Sequence, residues 1–423
     1  MSEQPNRTNI PQGLRGPLAL RDFRRLLGSS AMWWQSLFME NLTVGWLALE
    51  MTDSPWAVAL MGFCRSLPLL LFGYFAGAVA DRLGRRRVIV GAQTANLVCY
   101  VALLVLVATG RVMLWHLALA AFGLGAAWAL DWPARRALLP DLVGKERTVD
   151  AMLLENFVQG ASRILGPSLA GVLLARFGAV GGFSAMTLLS LGTLLLLRTL
   201  EGQPIPRTNR QPAVSPWTVL GQSLRYVGRS QPILGVILVT MVLNLLLIPY
   251  MTLLPVFARD VLRQGPVGLG VLGAASGIGS FIGLALINYA RQWFTNGWIL
   301  TVGTFGMAVA LAVFSQSTVY SLSWGVLLFV GTGQACFGIM QSSIILLTAS
   351  DEMRSRTMGV LVLAIGSDPF GKLQTGFLAQ HYGAPTAVGI QASVAVVALV
   401  AIAAALPGLR ARPASAARVA ASD

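Results

Sequence analysis

The sequence predicts an all-α membrane protein: twelve transmembrane helices arranged as two six-helix bundles, with both termini cytoplasmic. Three observations lead there, namely the composition, the regular succession of apolar runs and the placement of the basic residues. Apolar side chains make up 55% of the 423 positions and charged ones only 11%, whereas a soluble domain carries about 25% charged residues. The solvent for most of this chain is therefore lipid, and a mean hydropathy of +0.68 agrees. An α-helix needs about 20 apolar residues to cross a ~30 Å hydrocarbon layer. A barrel would instead show ~10-residue stretches of strict alternation, and the apolar runs here are continuous.

In chain order, residues 1–26 are polar and basic and read as a cytoplasmic arm, because a cleaved leader needs its apolar region near the start. Apolar spans follow at about 27–50, 56–80, 88–109, 113–132, 150–175 and 180–200, filling a first bundle over 27–200. Residues 201–232 form the longest polar interruption. Its first half is rich in Pro, Gln, Asn and Arg, as linkers are, and its second half reads as a short interfacial amphipathic helix. Spans at about 233–256, 268–290, 298–315, 320–348, 357–380 and 384–406 make the second bundle, 233–406, and 407–423 is a cytoplasmic tail. Two equal sets of helices are what transporters built from related halves display, with the solute path between the halves.

If the first span leaves the cytoplasm, the inside segments hold most of the 31 basic residues. The outside turns hold only Arg111, Arg176, Arg259 and Arg263, and Arg65, Arg163 and Lys372 fall within spans. This is the positive-inside distribution of an inner-membrane protein. The net charge of +14 is thus a mark of topology and of contact with anionic lipid, not of a nucleic-acid surface. Cys64, Cys99 and Cys336 lie in apolar runs without CxxC spacing, and His116 and His381 are far apart, so neither a disulfide framework nor a metal site is expected. The sequence offers no nucleophile and base set and no phosphate-binding loop, so an enzyme is not expected, nor is a cofactor. An ion gradient has to drive any uphill step, supplying ~2.3 kcal/mol per charge per 100 mV.

The second and third spans are joined by Gly77, Asp81, Arg82, Gly84, Arg85, Arg86 and Arg87 in a G-x-x-x-D-R-x-G-R-R pattern. It resembles the signature loop of the major facilitator superfamily. Gly73 and Gly77 permit close helix approach, Gly84 permits a tight turn, and Asp81 among arginines can latch the inside. Asp131, at the inner end of span four, is a candidate partner of Asp81 and Arg82. In span five, Gly166, Pro167 and Gly171 resemble the Gly-Pro motif of exporters in that superfamily, which implies outward transport. The stretches LALEMTDSPWAV, PARRALLPDLVGKE, LLPVFARDVL and DEMRSRTMGV are similar to those of the enterobactin-exporter and macrolide-efflux branch, the transmembrane secretion effectors. That resemblance covers about residues 20–406 and implies the major facilitator fold and export, not a particular substrate. The second-half counterpart of the signature loop, Asn288 to Gly297, is degenerate.

Ionisable side chains at a helix centre cost about 2.5–3.5 kcal/mol on insertion scales and so face partners or cavities. Six residues qualify: Glu40, Arg65, Glu155, Arg163, Asp368 and Lys372. Glu40 and Arg65 each lie about ten residues from the turn at 51–55, hence at one depth, ~15 Å below it. They are placed as a pair, with two readings side by side: Glu40 as the carrier of the coupling proton, tuned by Arg65, or a permanent bond holding two helices. Asp368 and Lys372, four apart, share a helix face; in the superfamily this span meets span two, implying a network with Arg65. Arg163 either holds an anionic substrate group or pairs with Glu155. Phe38, Asn41, Trp128, Asn156, Asn244, Gln334 and Gln341 are expected to line a mixed polar and apolar cavity, whereas Trp33 and Trp34 fit an interfacial aromatic belt better.

The function expected is proton-coupled export, by antiport, of a small amphiphilic molecule such as a siderophore, macrolide or other natural product. An importer or lysolipid flippase on the same fold is the alternative within transport, and a non-transporting scaffold or receptor the alternative outside it. The expected partners are the substrate, protons and membrane lipids, with no nucleic acid, and the chain is expected to act as a monomer.

Overall fold

The computed structural model describes residues 13–200 and 216–411. The outer parts of the expected arm (1–12), linker (201–215) and tail (412–423) lie outside the described residues. A single helical turn, α1 (Arg15–Ala19), precedes α2 (Arg21–Thr52), which ends where Asp53 takes the left-handed conformation at φ 48°. The next helix, α3 (Pro55–Leu83), opens on Ser54, whose hydroxyl accepts from the Ala57 amide, and on Pro55, which has no N–H to leave unpaired. Glycines at positive φ then punctuate the chain: Gly84 before α4 (Arg85–Ala108), Gly110 before α5 (Leu114–Val143) and Gly144 after it.

Gly178 does more. It sits at φ 60°, ψ −161° inside α6 (Thr148–Arg198) and breaks it into two arms. The first arm climbs alongside α2, with Glu155 beside Ser30 and Gly166 beside Phe38. The second descends it, with Gly182 against Thr43 and the Thr193 hydroxyl on the Ser29 carbonyl. What is continuous in hydrogen bonding is thus a helical hairpin folded at a glycine.

The amphipathic helix expected after the linker corresponds to α7 (Pro216–Arg229), which buries Ser223 and Val227 while Leu224 stays exposed. It is followed by α8 (Gln231–Val261), regularly α-helical to Val242 and then wound as π and 3-10 turns around Pro249 and Pro255, with one short α-helical piece at Leu254–Val256. Each proline deletes a backbone donor, which is why a regular ladder cannot continue. The remaining helices are α9 (Pro266–Ala290), α10 (Asn296–Gln316), α11 (Tyr320–Thr348), α12 (Asp351–Ile365), α13 (Asp368–Tyr382) and α14 (Ala384–Ala405). Gly366 and Ser367 interrupt what the sequence reads as one span into α12 and α13.

Among the described residues, nine helices are long and apolar enough to cross a membrane. α2 has the length, but its serines, tryptophans, Gln35, Glu40 and Asn41 lower its hydropathy. Large apolar side chains lie on the outside, with Leu119, Leu188, Phe329, Leu347 and Val397 each at least 65% exposed. Such a surface is stable against lipid and unstable in water. Inside, small residues set the approach: Gly279 and Gly331 bring α9 and α11 backbone to backbone at the Leu328 and Ser276 carbonyls. Residues before the linker pack mainly with one another, and so do those after it; the two sets meet where α6 crosses α9 and where α3 runs along α13.

Candidate functional site

The meeting surface begins at one end of the helices with exposed contacts. Arg259 bonds Asp53 at 2.8 Å, and the Ser54 hydroxyl donates to Gln380 at 2.8 Å. One turn in, Gly171 and Gly270 touch so closely that a Cβ on either would lie 2.5 Å from the Pro266 or Pro167 carbonyl oxygen opposite. Gly166 likewise admits the Phe38 side chain, whose Cβ would be 2.6 Å from an added methyl. The three residues of the Gly-Pro motif therefore form the tightest part of the α6 crossing with α2 and α9. The two glycines act by having no side chain there, and the carbonyl of Pro167 faces Gly270.

At mid-depth lie the buried charges. Glu40, 2% exposed on α2, accepts from Arg65 Nε of α3 at 2.8 Å and from the Tyr100 hydroxyl of α4 at 3.3 Å. A helical hairpin fixes relative depth, which is why equal spacing from the turn brings Glu40 and Arg65 together. Tyr100 is an addition to the sequence reading; a single phenol in the apolar run of α4 was its only signal. The Arg65 guanidinium rests 5.8 Å from the centre of the Trp128 ring, so Trp128 backs an ion pair, with its indole N–H buried and without a partner among the described residues. Lys372 bonds Asp368 at 2.7 Å and donates to Ser66, one residue from Arg65, so α13 is tied to α3 by that lysine. The second oxygen of Asp368, Oδ1, is buried with no hydrogen-bond partner among the described residues.

A second cluster lies toward the other end. Asp131 is 0% exposed, receives Arg135 Nε at 2.8 Å and also accepts from Gln93. Arg135 reaches on to Ser29 and Ser30 at 2.8 and 3.0 Å, and Ser30 donates to Glu155 at 2.8 Å. Asp131 is thus the hub of a buried network, with its bonds directed to Gln93 and Arg135. Of its expected loop partners, Arg82 is exposed, and the side chain of Asp81 lies outside those described, as does the burial of Gly77 in the same loop motif. Around Gly84, Arg85 pairs with Asp141 and donates to the Ala137 carbonyl at 2.7 Å, and Arg86 donates to the Arg198 carbonyl at 2.9 Å, tying α4 to α5 and α6. α5 continues past Pro133 and carries Arg135 inward, so that this arginine is only 3% exposed although it lies among the basic residues that follow the fourth span. The i,i+4 spacing of Asp131 and Arg135 carried the signal.

Next to this network opens a small cleft, lined in part by Trp33, Trp34, Trp132, Arg136, Glu155 and Asn156. Trp33 and Trp34 are 3% and 6% exposed and face this cleft, which corrects the interfacial-belt expectation. An amphipathic ring serves a wet cavity as well as a headgroup layer, so composition alone could not separate the two. The guanidinium of Arg135 lies 4.9 Å from the Trp33 ring centre and that of Arg136 4.6 Å from Trp132. Asn244, by contrast, is 7% exposed and donates to the Thr240 carbonyl of its own helix, while Gln341 accepts from Thr240 at 3.4 Å; both serve α8 packing and not the cleft. Asn41 is exposed. Arg163 donates to Gln334 at 3.3 Å, across the meeting surface, and Glu155 has Ser30 as its bonded neighbour, so the Glu155 to Arg163 pair does not form. Cys64, Cys99 and Cys336 are free thiols.

Comparison with known proteins agrees with this architecture. The family described as transmembrane secretion effector matches residues 13–422. The staphyloferrin A transporter of Staphylococcus aureus is 22% identical over 82% of this chain and 88% of the relative. The multidrug efflux pump Tap of Mycolicibacterium fortuitum is 26% identical over 87% of this chain and 90% of its own length, and enterobactin exporter EntS of Salmonella typhimurium is 26% identical over 73% and 74%. Among solved structures, a bacterial homologue of the human lysosomal transporter Spinster, captured inward-facing, superposes with a TM-score of 0.72 at 13% identity, covering 93% of this chain and 99% of that one. A bacterial homologue of the iron transporter ferroportin gives 0.69 at 18% identity, covering 93% and 99%. The chain is a multi-pass membrane transporter, not an enzyme, and belongs to the transmembrane secretion effector family of the major facilitator superfamily.

Proposed function

We propose that this protein is a proton-coupled exporter that exchanges protons for a small amphiphilic molecule, such as a siderophore, macrolide or other natural product. In this reading the helices make twelve passes in two six-helix bundles: the arms of α6 are two passes, and α12 with α13 make one. Both termini are cytoplasmic, the Asp53 and Arg259 end faces outward, and the cleft beside Trp33 opens to the cytoplasm. The observation that carries the reading is Glu40, a carboxylate 2% exposed and bonded to Arg65 and Tyr100 within the helical body. Such a group is expensive to insert and has a use where a proton is taken up and released. Relatives that are exporters support the direction.

The test uses inside-out vesicles with an amphiphilic fluorescent dye. An acid lumen drives dye uptake if the protein is an antiporter that exports in the cell. Uptake driven only by the opposite gradient contradicts export, and uptake independent of the gradient contradicts proton coupling.

A further inference from the structure

Three cations within the helical body, Arg135 buried and Arg65 and Lys372 half-buried, carry their own counter-ions: Arg65 has Glu40, Arg135 has Asp131, and Lys372 has Asp368. Arg163 has none among the described residues. Its guanidinium is held by two neutral oxygens, Ser280 Oγ at 3.4 Å and Gln334 Oε1 at 3.3 Å, and by the ring of Phe38 at 5.7 Å. Those three neighbours belong to α9, α11 and α2, so the charge sits on the surface where the two sets of helices meet. A cation taken from water into a helical interior is costly until an anion joins it.

The surroundings say where that anion comes from. Gln159 and Asn156 lie one and two turns before Arg163 on the same face of α6, and both line the cleft. The cleft wall residue Trp34 stacks on Phe38 at 6.0 Å, and Phe38 lies under Arg163. An aromatic surface thus runs from the open cleft to the unpaired guanidinium. We propose that Arg163 receives the acidic group of the transported molecule, so that the substrates are amphiphiles with a carboxylate-type oxyanion on a planar apolar body. The proposal rests on the transport reading above and adds a substrate class to it.

The chemistry fits that class. Nη1 is the guanidinium nitrogen engaged by Ser280 and Gln334, which leaves Nη2 and Nε as a parallel pair matched to the two oxygens of a carboxylate. Gln334, with its oxygen turned to Arg163, presents its amide N–H groups as further donors. The rings of Phe38 and Trp34 offer the body a stacking surface. The acid also supplies the counter-charge that the fold withholds, so binding relieves the cost of holding Arg163 half-buried among the helices.

The full-length protein in lipid nanodiscs is titrated at neutral pH with 2-naphthoate and its neutral isostere 2-naphthamide, reading tryptophan fluorescence. The proposal predicts saturable quenching by naphthoate, at least about tenfold tighter than by naphthamide, as a charge-assisted pair requires. Arg163→Gln is expected to bring naphthoate down to the naphthamide level without altering naphthamide, and Arg163→Lys to keep part of the preference. Gln334→Glu, which supplies an internal carboxylate beside Arg163, is expected to abolish the preference and serves if the arginine variants do not fold. Equal affinities in the wild type, an undiminished preference in Arg163→Gln or Gln334→Glu, or no saturable response up to about 10 mM naphthoate overturns the proposal. Binding is read without a gradient, so failure of this site and failure of proton coupling give different results.

Discussion

Four arginines of the first half, Arg65, Arg135, Arg136 and Arg163, each lie over an aromatic ring, with cation to centroid distances of 4.6–5.8 Å. The ring face stabilises a guanidinium, most of all where helix packing shields it from water, as at Arg135. Arg135 is the clearest case, since removing it leaves Asp131 fully buried and uncompensated. Arg135→Ala is expected to cost about 3–5 kcal/mol, seen as a large drop in thermal unfolding temperature in detergent micelles. Arg135→Lys is expected to fall between, because an ammonium cannot reproduce the bonds to Asp131, Ser29 and Ser30 at once. An unchanged unfolding temperature for Arg135→Ala contradicts the structural role given to the network. At this scale the sequence was legible where one helix or one hairpin fixed the geometry, as for Glu40 with Arg65 and Asp368 with Lys372. It was silent where a partner comes from a distant helix: nothing local announces that Ser30 bridges Arg135 and Glu155, or that Gln334 meets Arg163.

The elements show which irregularities have a use. The α6 crossing depends on glycines at 166 and 171 because the facing atoms belong to backbone and to the root of Phe38, and neither can rotate away. Gly166→Leu is expected to cost about 1–3 kcal/mol by overpacking and to reduce dye transport by at least about tenfold, one such barrier change being 1.4 kcal/mol. Normal transport by a stably inserted Gly166→Leu protein contradicts the close-packed crossing. The Gly-Pro pattern made this segment legible in sequence. The unwinding of α8 at Leu243–Leu247 was not, although Pro249 and Pro255 were in view, because an apolar run reads as membrane-spanning whatever its hydrogen-bond register. The hairpin in α6 was placed by the spacing of its two apolar spans, and Gly178 supplies the turn between them.

For the whole molecule, the division into two sets of helices and the crowding of arginines were read from the sequence, whereas the cleft was not, since its walls come from helices far apart in the chain. Contacts between the sets run from Asp53 and Arg259 along α3 and α13 to Ser66 and Lys372, and along α6 and α9 as far as Phe157 and Phe281, so the two sets are held closed over that stretch. Ala59 and Gly376 touch within this closed stretch. Gly376→Leu, whose side chain has no room against Ala59, is expected to force this end apart and to reduce dye transport by at least about tenfold; normal transport by a stably inserted Gly376→Leu protein contradicts the close packing of this end. The pair between Arg259 and Asp53 contributes only about 0–1 kcal/mol, since Asp53 is 81% exposed, so Asp53→Asn, which removes the charge and keeps a residue suited to the left-handed conformation, is expected to leave the unfolding temperature nearly unchanged. The most direct test of the central claim is Glu40→Gln in inside-out vesicles, comparing dye accumulation driven by an acid lumen with gradient-free counterflow. The account predicts that accumulation is lost while counterflow persists, because the variant still binds and alternates without carrying a proton. Accumulation at wild-type rates by Glu40→Gln contradicts it.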